Sequence, residues 1–281
     1  MRRVSMLVGE RFALPREGRA LPYQFCGNRG INQGGMNTSP LNNQVVLVTG
    51  GGRRIGRVIA LTLARAGASV AVNYHKSQRE AQATMRAIKA LGVEALALRA
   101  DVANPRQVQA MFRAVERRFG RLDILVNNAG IFFPARWDEL TEKDWDRVLA
   151  TNLKGPFFCA QAAGRIMLRQ KSGRIINISS LGGLQGWSEY MHYCASKAGL
   201  IMLTRCLAKA LAPHIQVNSV APGTILFPDE RPDRRIQKVI ERTPLQRAGR
   251  PEDIAEMVLY LATRGGFITG QVFVVDGGQS I

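Results

Sequence analysis

Tyr193 and Lys197 stand four residues apart in YCASK, a separation that puts both side chains on one face of a helix. An ammonium close to a phenol favours the phenolate and lowers a pKa that is about 10 unperturbed. A tyrosine tuned in this way can exchange a proton with a substrate oxygen near neutral pH. Ser180 ends an apolar run shortly before, where its hydroxyl can face the same pocket and orient a carbonyl. Asn152, in ATNLKG, lies on the preceding helix. A Tyr and a Lys at this spacing are common by chance, so the weight rests on the company they keep.

That company includes a glycine-rich turn, TGGGRRIG at residues 49–56, which follows an apolar run and opens a helix. Glycines let such a turn approach a pyrophosphate held at a helix N-terminus, with Gly50, Arg53, Arg54, Ile55 and Gly56 around it. The turn departs from G-x-G-x-x-G, because its glycines stand at 50, 51, 52 and 56. After the second apolar run, an Asp or Glu would accept from an adenosine ribose 2′-hydroxyl and favour NAD. The residues there are Asn73, Tyr74, His75, Lys76 and Ser77, with no carboxylate. With Arg54, the side chains of His75, Lys76 and Ser77 could surround a ribose 2′-phosphate, which favours NADP(H). The plainer alternative makes Lys76 and Arg54 solvated surface charges.

The elements that must position these residues are short β-branched runs alternating with helical stretches. VVLVTG (45–50), SVAVNY (69–74), ALALRA (95–100), DILVNN (123–128), RIINIS (174–179), IQVNSV (215–220) and a final QVFVVD each read as a buried parallel strand. Residues 78–91 and 105–119 read as crossover helices. The alternation predicts an α/β fold: one doubly wound, Rossmann-type domain over residues 41–281. Its parallel sheet has seven strands, with helices on both faces and ligands at the carboxyl ends of the strands. Residues 1–40 follow neither period and carry recurrent Gly and Pro, so they are expected to be a disordered extension. The other reading of that segment is an upstream mis-start, with Met36 as the true first residue.

Composition narrows the class further. A chain of 281 residues with 46% hydrophobic and 21% charged residues suits one large globular domain and excludes collagen, coiled coil and wholesale disorder. No apolar run is long enough to span a bilayer. Four cysteines without a C-x-x-C pair suggest neither a disulfide framework nor a zinc site, so no metal is expected and a reducing, cytoplasmic setting is. The net charge of +18 invites a nucleic-acid reading, but there is no Lys/Arg block and no basic stripe interleaved with aromatics. A dispersed positive field attracts a phosphorylated cofactor equally well, and no nucleic-acid or membrane partner is expected.

Taken together, residues 43–278 resemble the short-chain dehydrogenase/reductase family. The glycine turn, Asp101-Val102, Asn127-Asn128-Ala129-Gly130, Asn152, Ser180, Tyr193, Lys197 and Pro222-Gly223 occur in that family's order and spacing. The resemblance implies that Tyr193 is the general acid/base and that Lys197 binds the nicotinamide ribose and lowers the Tyr193 pKa. Ser180 would position the carbonyl and Asn152 support a water-mediated proton path. It also implies cofactor contacts from Asp101, Val102, Asn128, Ala129, Gly130, Pro222 and Gly223, a substrate lid at residues 224–243, and a homotetramer. Within the family the sequence looks most like the pteridine reductases, on Arg54 in place of the usual Gly, Tyr74-His75-Lys76-Ser77, and the segments PGTILFP and FITGQ. Phe132 falls where those enzymes stack a pterin against nicotinamide, whereas Ser180 replaces an Asp and restores the general carbonyl-reductase pattern.

The expected activity is therefore NADPH-dependent hydride transfer to C=O or C=N of a small molecule, with a dihydropterin first. The alternative substrate is a 3-oxoacyl-carrier protein or small carbonyl, and the alternative class is a non-catalytic NADPH sensor. Plainer readings accompany several residues: Phe132 and Phe133 as caps on the core, the three tryptophans as packing, Asp101 as a cap, and His192 as a pocket-lining or surface helix residue.

Overall fold

The computed structural model describes residues 39–281; the expectations for residues 1–38, including a start at Met36, lie outside the described residues. Strand β1 (Val45–Val48) leads through the glycine turn into helix α1 (Arg54–Arg65), followed by β2 (Ser69–Tyr74), α2 (Gln78–Lys89), β3 (Ala95–Arg99) and α3 (Pro105–Phe119). Next come β4 (Ile124–Asn127), α4 (Glu142–Leu149), α5 (Gly155–Gln170) and β5 (Gly173–Ile178). The chain closes with α6 (Met191–Leu211), β6 (Ile215–Pro222), α7 (Arg234–Arg242), α8 (Pro251–Thr263) and β7 (Val272–Val275). All seven strands pair in parallel in the order β3-β2-β1-β4-β5-β6-β7. The expected architecture is the observed one.

Strand alternation divides the core between the two faces of the sheet. Val46, Val48, Val70, Val72 and Ile124 pack with Ile59 and Leu63 of α1 and with Ile254, Val258 and Leu261 of α8. Val45, Leu47, Leu125 and Ile175 point the other way, against Met111, Phe112 and Val115 of α3 and Cys159, Ala163 and Met167 of α5. Both faces are therefore covered, which is why the strands read as continuous apolar runs rather than alternating ones.

Chain order reverses between β1 and β4, with β2 and β3 on one side and β5 to β7 on the other. In such sheets the loops leaving these two strands diverge and open a crevice at their carboxyl ends. Local signals fix the helices around it: Asn104 accepts from the backbone N–H groups of Arg106 and Gln107, Pro105 opens α3, and Gly120 closes it with φ of 73°. No helix among the described residues is long and apolar enough to cross a membrane.

Candidate active site

The crevice is braced by one hydroxyl and two amides at or just beyond the ends of three strands. Thr49 Oγ1 accepts from the backbone N–H groups of Asn128, at 2.9 Å, and Ala129, at 3.0 Å. Asn128 Nδ2 donates back to the carbonyls of Thr49, at 2.9 Å, and Gly50, at 3.2 Å. Asn73, buried on β2, accepts from Gly50 N–H at 3.2 Å and donates to the Ala100 carbonyl at 3.0 Å. The turn is thus held rigid from β2 and β4 before any ligand arrives. Thr49 and Asn73 carry this framework without having been singled out as functional; the available signal was a polar residue inside, or just after, an otherwise apolar strand.

Close backbone packing explains Gly56. A Cβ there would lie 2.4 Å from the Gly50 carbonyl oxygen and 2.5 Å from Asn128 Nδ2, distances no side chain tolerates. Arg53 takes the N-cap position of α1 in an extended conformation without a side-chain cap, so the first backbone N–H groups of the helix remain available to an anion. Arg54 follows with φ of 52°, a left-handed conformation for which glycine is the usual choice.

Arg54 departs from its expected place beside Lys76. Its Nη1 forms an ion pair with Glu230 at 2.7 Å, and its guanidinium lies 4.1 Å from the centre of the Phe227 ring. Both partners follow β6, four strands away from β2 in the sheet. In this structure its partners are thus in the segment after β6 and not at His75 or Lys76. Those two remain exposed at the end of β2, where the Ser77 hydroxyl makes no helix cap. Arg53 is exposed and forms no ion pair among the described residues. Asp101 accepts from Ala103 N–H at 3.0 Å and lies 3.9 Å from His75 Nδ1, while buried Val102 follows it. The cap of α3 is Asn104, so Asp101 closes a turn instead.

Ser180, Tyr193, Lys197 and Asn152 come together beyond the ends of β4 and β5. Ser180 is buried at the start of a 3-10 turn (Leu181–Gly183), and its Oγ accepts from Gly182 N–H at 3.1 Å. Lys197 is also buried, and its Nζ donates to the Ile178 carbonyl at 2.7 Å and lies 5.7 Å from the centre of the Tyr193 ring. Burial disfavours its charged form and pushes it down to about 8. Burial likewise pushes the Tyr193 phenol up to about 12, against the opposing effect of hydrogen bonding to Ser180. The expected lowering of the Tyr193 pKa is absent here, because desolvation outweighs the available stabilisation and the lysine ammonium is directed at a carbonyl.

Asn152 lies in a π-helical stretch (Ala150–Lys154) between α4 and α5 and is fully buried. Its Oδ1 accepts from Ile131 N–H at 2.9 Å, and its Nδ2 donates to the Ile131 carbonyl at 2.9 Å and to Ser196 Oγ at 3.2 Å. The side chain thus clamps the loop after Gly130, whose missing Cβ leaves room: an added one would stand 3.3 Å from Asn152 Oδ1. Below it, Asn127 donates to Asn177 at 2.9 Å and Asn177 to Thr204 at 2.9 Å, a buried ladder joining β4, β5 and α6. At the other side, Pro222 ends β6, and Gly223 N–H donates to the Val275 carbonyl at 3.0 Å.

Four aromatic rings frame the mouth. Phe132 is 56% exposed, stacks on Tyr190 at 4.4 Å with planes 3° apart, and meets Tyr193 edge-on at 4.7 Å. It is a wall of the pocket, not a cap on the core. Trp187 lies nearly parallel to Tyr193 at 6.3 Å, so it borders the Tyr193 ring as well as packing over Gly182. Trp137 is largely exposed. His192, by contrast, is fully buried beneath Phe133, with ring centres 4.7 Å apart; neither nitrogen finds a hydrogen-bond partner among the described residues, and burial lowers its pKa. A surface position for His192 is therefore wrong. Tyr190 lies outside the motif that carries Tyr193 and Lys197, and the signal for it in the sequence is WSEYMHY, which places aromatic rings at positions 187, 190 and 193.

The chain is similar in sequence and fold to known proteins. Residues 51–280 match the family model described as enoyl-(acyl carrier protein) reductase. The 3-oxoacyl-[acyl-carrier-protein] reductase FabG of Staphylococcus aureus is 47% identical over 237 residues, which cover 83% of this chain and 96% of that protein. A 3-oxoacyl-[acyl-carrier-protein] reductase of Synechocystis is 43% identical over 242 residues, covering 85% of this chain and 98% of that one. Among solved structures, a short-chain dehydrogenase/reductase from Serratia marcescens superposes with a TM-score of 0.82 at 37% identity, over 86% of this chain and 100% of that one. A blue fluorescent protein from a metagenomic library, solved in complex with NADPH, gives 0.82 at 38% identity over the same shares.

Proposed function

The chain belongs to the short-chain dehydrogenase/reductase family of oxidoreductases, and from that premise we propose that it is an NADP(H)-dependent reductase of 3-oxoacyl thioesters. The observation that carries the substrate class is the 47% identity, over nearly the whole of its length, to a protein named for reduction of 3-oxoacyl-carrier protein. The alternative drawn from the sequence thus outranks the dihydropterin reading. Phe132 keeps the latter as a second reading, since its exposed ring beside Tyr193 suits a flat heterocycle. Nicotinamide-dependent turnover of acetoacetyl-CoA, compared with that of dihydrobiopterin, tests the two.

The residues present fit a dinucleotide. The glycine turn closes on itself where a Cβ would clash, and the first turn of α1 offers uncapped N–H groups to a pyrophosphate. The β2 end carries exposed His75 and Lys76, with a free Ser77 hydroxyl and no carboxylate of its own, which supports a 2′-phosphate. Arg53 takes the part expected of Arg54 there. Asp101 and Val102 would hold the adenine end of the dinucleotide, Asn128, Ala129 and Gly130 a ribose, and Pro222 and Gly223 the nicotinamide.

When bound, the nicotinamide supplies the hydride. Tyr193 keeps its phenolic proton up to about 12, so at neutral pH it is present as the donor to a developing alkoxide. Ser180 holds the same oxygen by its hydroxyl, and Lys197, cationic below about 8, favours the phenolate left behind. Asn152 acts as a positioning residue by fixing the Ile131 backbone. Exposed Trp145, Phe157, Leu168 and Met202 on α4 to α6, together with Val274 on β7, support assembly into a homotetramer, which light scattering tests.

A further inference from the structure

Arg54 reaches across the crevice to the segment that follows β6, and nothing about cofactor or substrate chemistry requires that it do so. Its side chain is 57% exposed, yet it is engaged twice: by Glu230 at 2.7 Å and by the face of Phe227 at 4.1 Å. Glu230 is itself oriented, because its other oxygen accepts from Phe227 N–H at 3.3 Å. Beyond Leu226, whose N–H donates to the Gly249 carbonyl at 3.0 Å, the segment it belongs to has few buried contacts up to Thr243. Helix α7 contains no fully buried residue, and its strongly basic outer face, with Arg234, Arg235, Lys238 and Arg242, is turned to solvent. A second pair, Arg235 with Glu189, ties the same helix to the loop before α6, with Arg235 also 6.0 Å from the Tyr190 ring. The first half of this segment, the expected lid, is thus fastened at two points, each an arginine that pairs with a carboxylate and an aromatic ring.

The two fastenings differ in what lies beside them. Arg54 is the first residue of α1, whose uncapped N-terminal N–H groups form the anion end of the helix. A pyrophosphate bound there would bring negative charge to the Arg54 guanidinium and repel Glu230. We propose that Arg54 is a lid-positioning residue whose ion pair with Glu230 latches the lid over the glycine turn, and that a pyrophosphate at the α1 N-terminus competes with Glu230 and releases the latch. The proposal rests on the dinucleotide reading above for the identity of the natural anion. It makes the left-handed Arg54 functional, because a glycine at this position would relieve the backbone and lose the latch.

The test uses the full chain and inorganic pyrophosphate as the probe. Trypsin cleavage after Arg234 and Arg235 is timed by mass spectrometry, and pyrophosphate affinity is measured by calorimetry. An exposed ion pair with a cation–π contact is worth a few-fold to about tenfold in an equilibrium. Glu230→Gln should therefore be cleaved several-fold faster than wild type without ligand, bind pyrophosphate several-fold more tightly, and show no further change in cleavage when it binds. Wild type should be cleaved faster as pyrophosphate saturates, and Glu230→Asp should restore part of the slow cleavage. Pyrophosphate that binds wild type yet leaves lid cleavage unchanged or slows it overturns the latch and spares the dinucleotide reading. Failure of both proteins to bind pyrophosphate overturns the dinucleotide reading and the competition with it, and equal cleavage of Glu230→Gln and wild type overturns the latch itself.

Discussion

The ammonium of Lys197 donates to the Ile178 carbonyl at 2.7 Å and stands 5.7 Å from the centre of the Tyr193 ring, so the two side chains share a helix face without a direct bond. Each is pushed by burial toward its neutral form, Lys197 down to about 8 and Tyr193 up to about 12. Between neutrality and strongly alkaline pH it is therefore the lysine that titrates. The profile of kcat/KM at limiting cofactor should be flat below about pH 8 and fall above it as Lys197 loses its proton. For stability the sign is opposite: the unfolded chain keeps this proton up to about 10.5, so between about 8 and 10.5 rising pH favours the folded state. Lys197→Met should remove the alkaline fall in rate and that stability gain together. A descending limb that persists in Lys197→Met would assign it to another group.

Tyr193→Phe keeps the ring that packs against Phe132 and Trp187 and removes only the hydroxyl. Turnover should drop by about 10² to 10⁴, the range for a positioned acid, with dinucleotide affinity unchanged in a fluorescence titration. Turnover like that of wild type would remove Tyr193 from the acid role.

Asn152 is fully buried and hydrogen-bonded to both the N–H and the C=O of Ile131. Asn152→Ala leaves both groups without these partners, so unfolding in urea should show a loss of about 2 to 4 kcal/mol. The loop after Gly130 should loosen with it, lowering kcat. Asn152→Asp, which presents an acceptor to the Ile131 carbonyl, should be at least as damaging.

The fold was legible because buried parallel strands leave a signature in one dimension: VVLV, SVAVNY and RIINI each need apolar residues on both faces. Tyr193, Lys197 and Ser180 were legible because their separations map directly onto one helix and one strand end. Arg54 was not. Its number placed it in the glycine turn, but the direction of its side chain depends on a positive φ and on partners at positions 227 and 230. The burial of His192 and the upward shift of Tyr193 are likewise products of packing by distant segments, and the loop clamp of Asn152 depends on a contact 21 residues back in the chain. Spacing reports which residues share a face; it says little about what the remainder of the chain lays over that face.

Arg53 is exposed and without an ion pair among the described residues, and under the proposed function it serves as a cation at the ribose 2′-phosphate. A charge-assisted hydrogen bond of this kind contributes about 1.5 to 3 kcal/mol. Arg53→Ala should therefore raise KM for NADPH about ten- to a hundredfold and leave KM for NADH within about twofold. Lys76→Ala should act in the same direction, and equal effects on both cofactors would place these cations away from the 2′-phosphate.

Phe132 decides between the two substrate readings. One face of its ring is already covered by Tyr190 at 4.4 Å, and its edge meets Tyr193 at 4.7 Å. A flat heterocycle would have to use the face that remains, where offset stacking contributes about 0.5 to 1.5 kcal/mol beyond area burial. A flexible 3-oxoacyl chain needs only an apolar wall, which leucine also provides. For Phe132→Leu, kcat/KM with acetoacetyl-CoA should stay within about threefold of wild type, and wild type should use acetoacetyl-CoA at least about tenfold better than dihydrobiopterin. A loss of about tenfold or more confined to dihydrobiopterin, in an enzyme that prefers it, would reverse the assignment and return Phe132 to the role of a stacking platform.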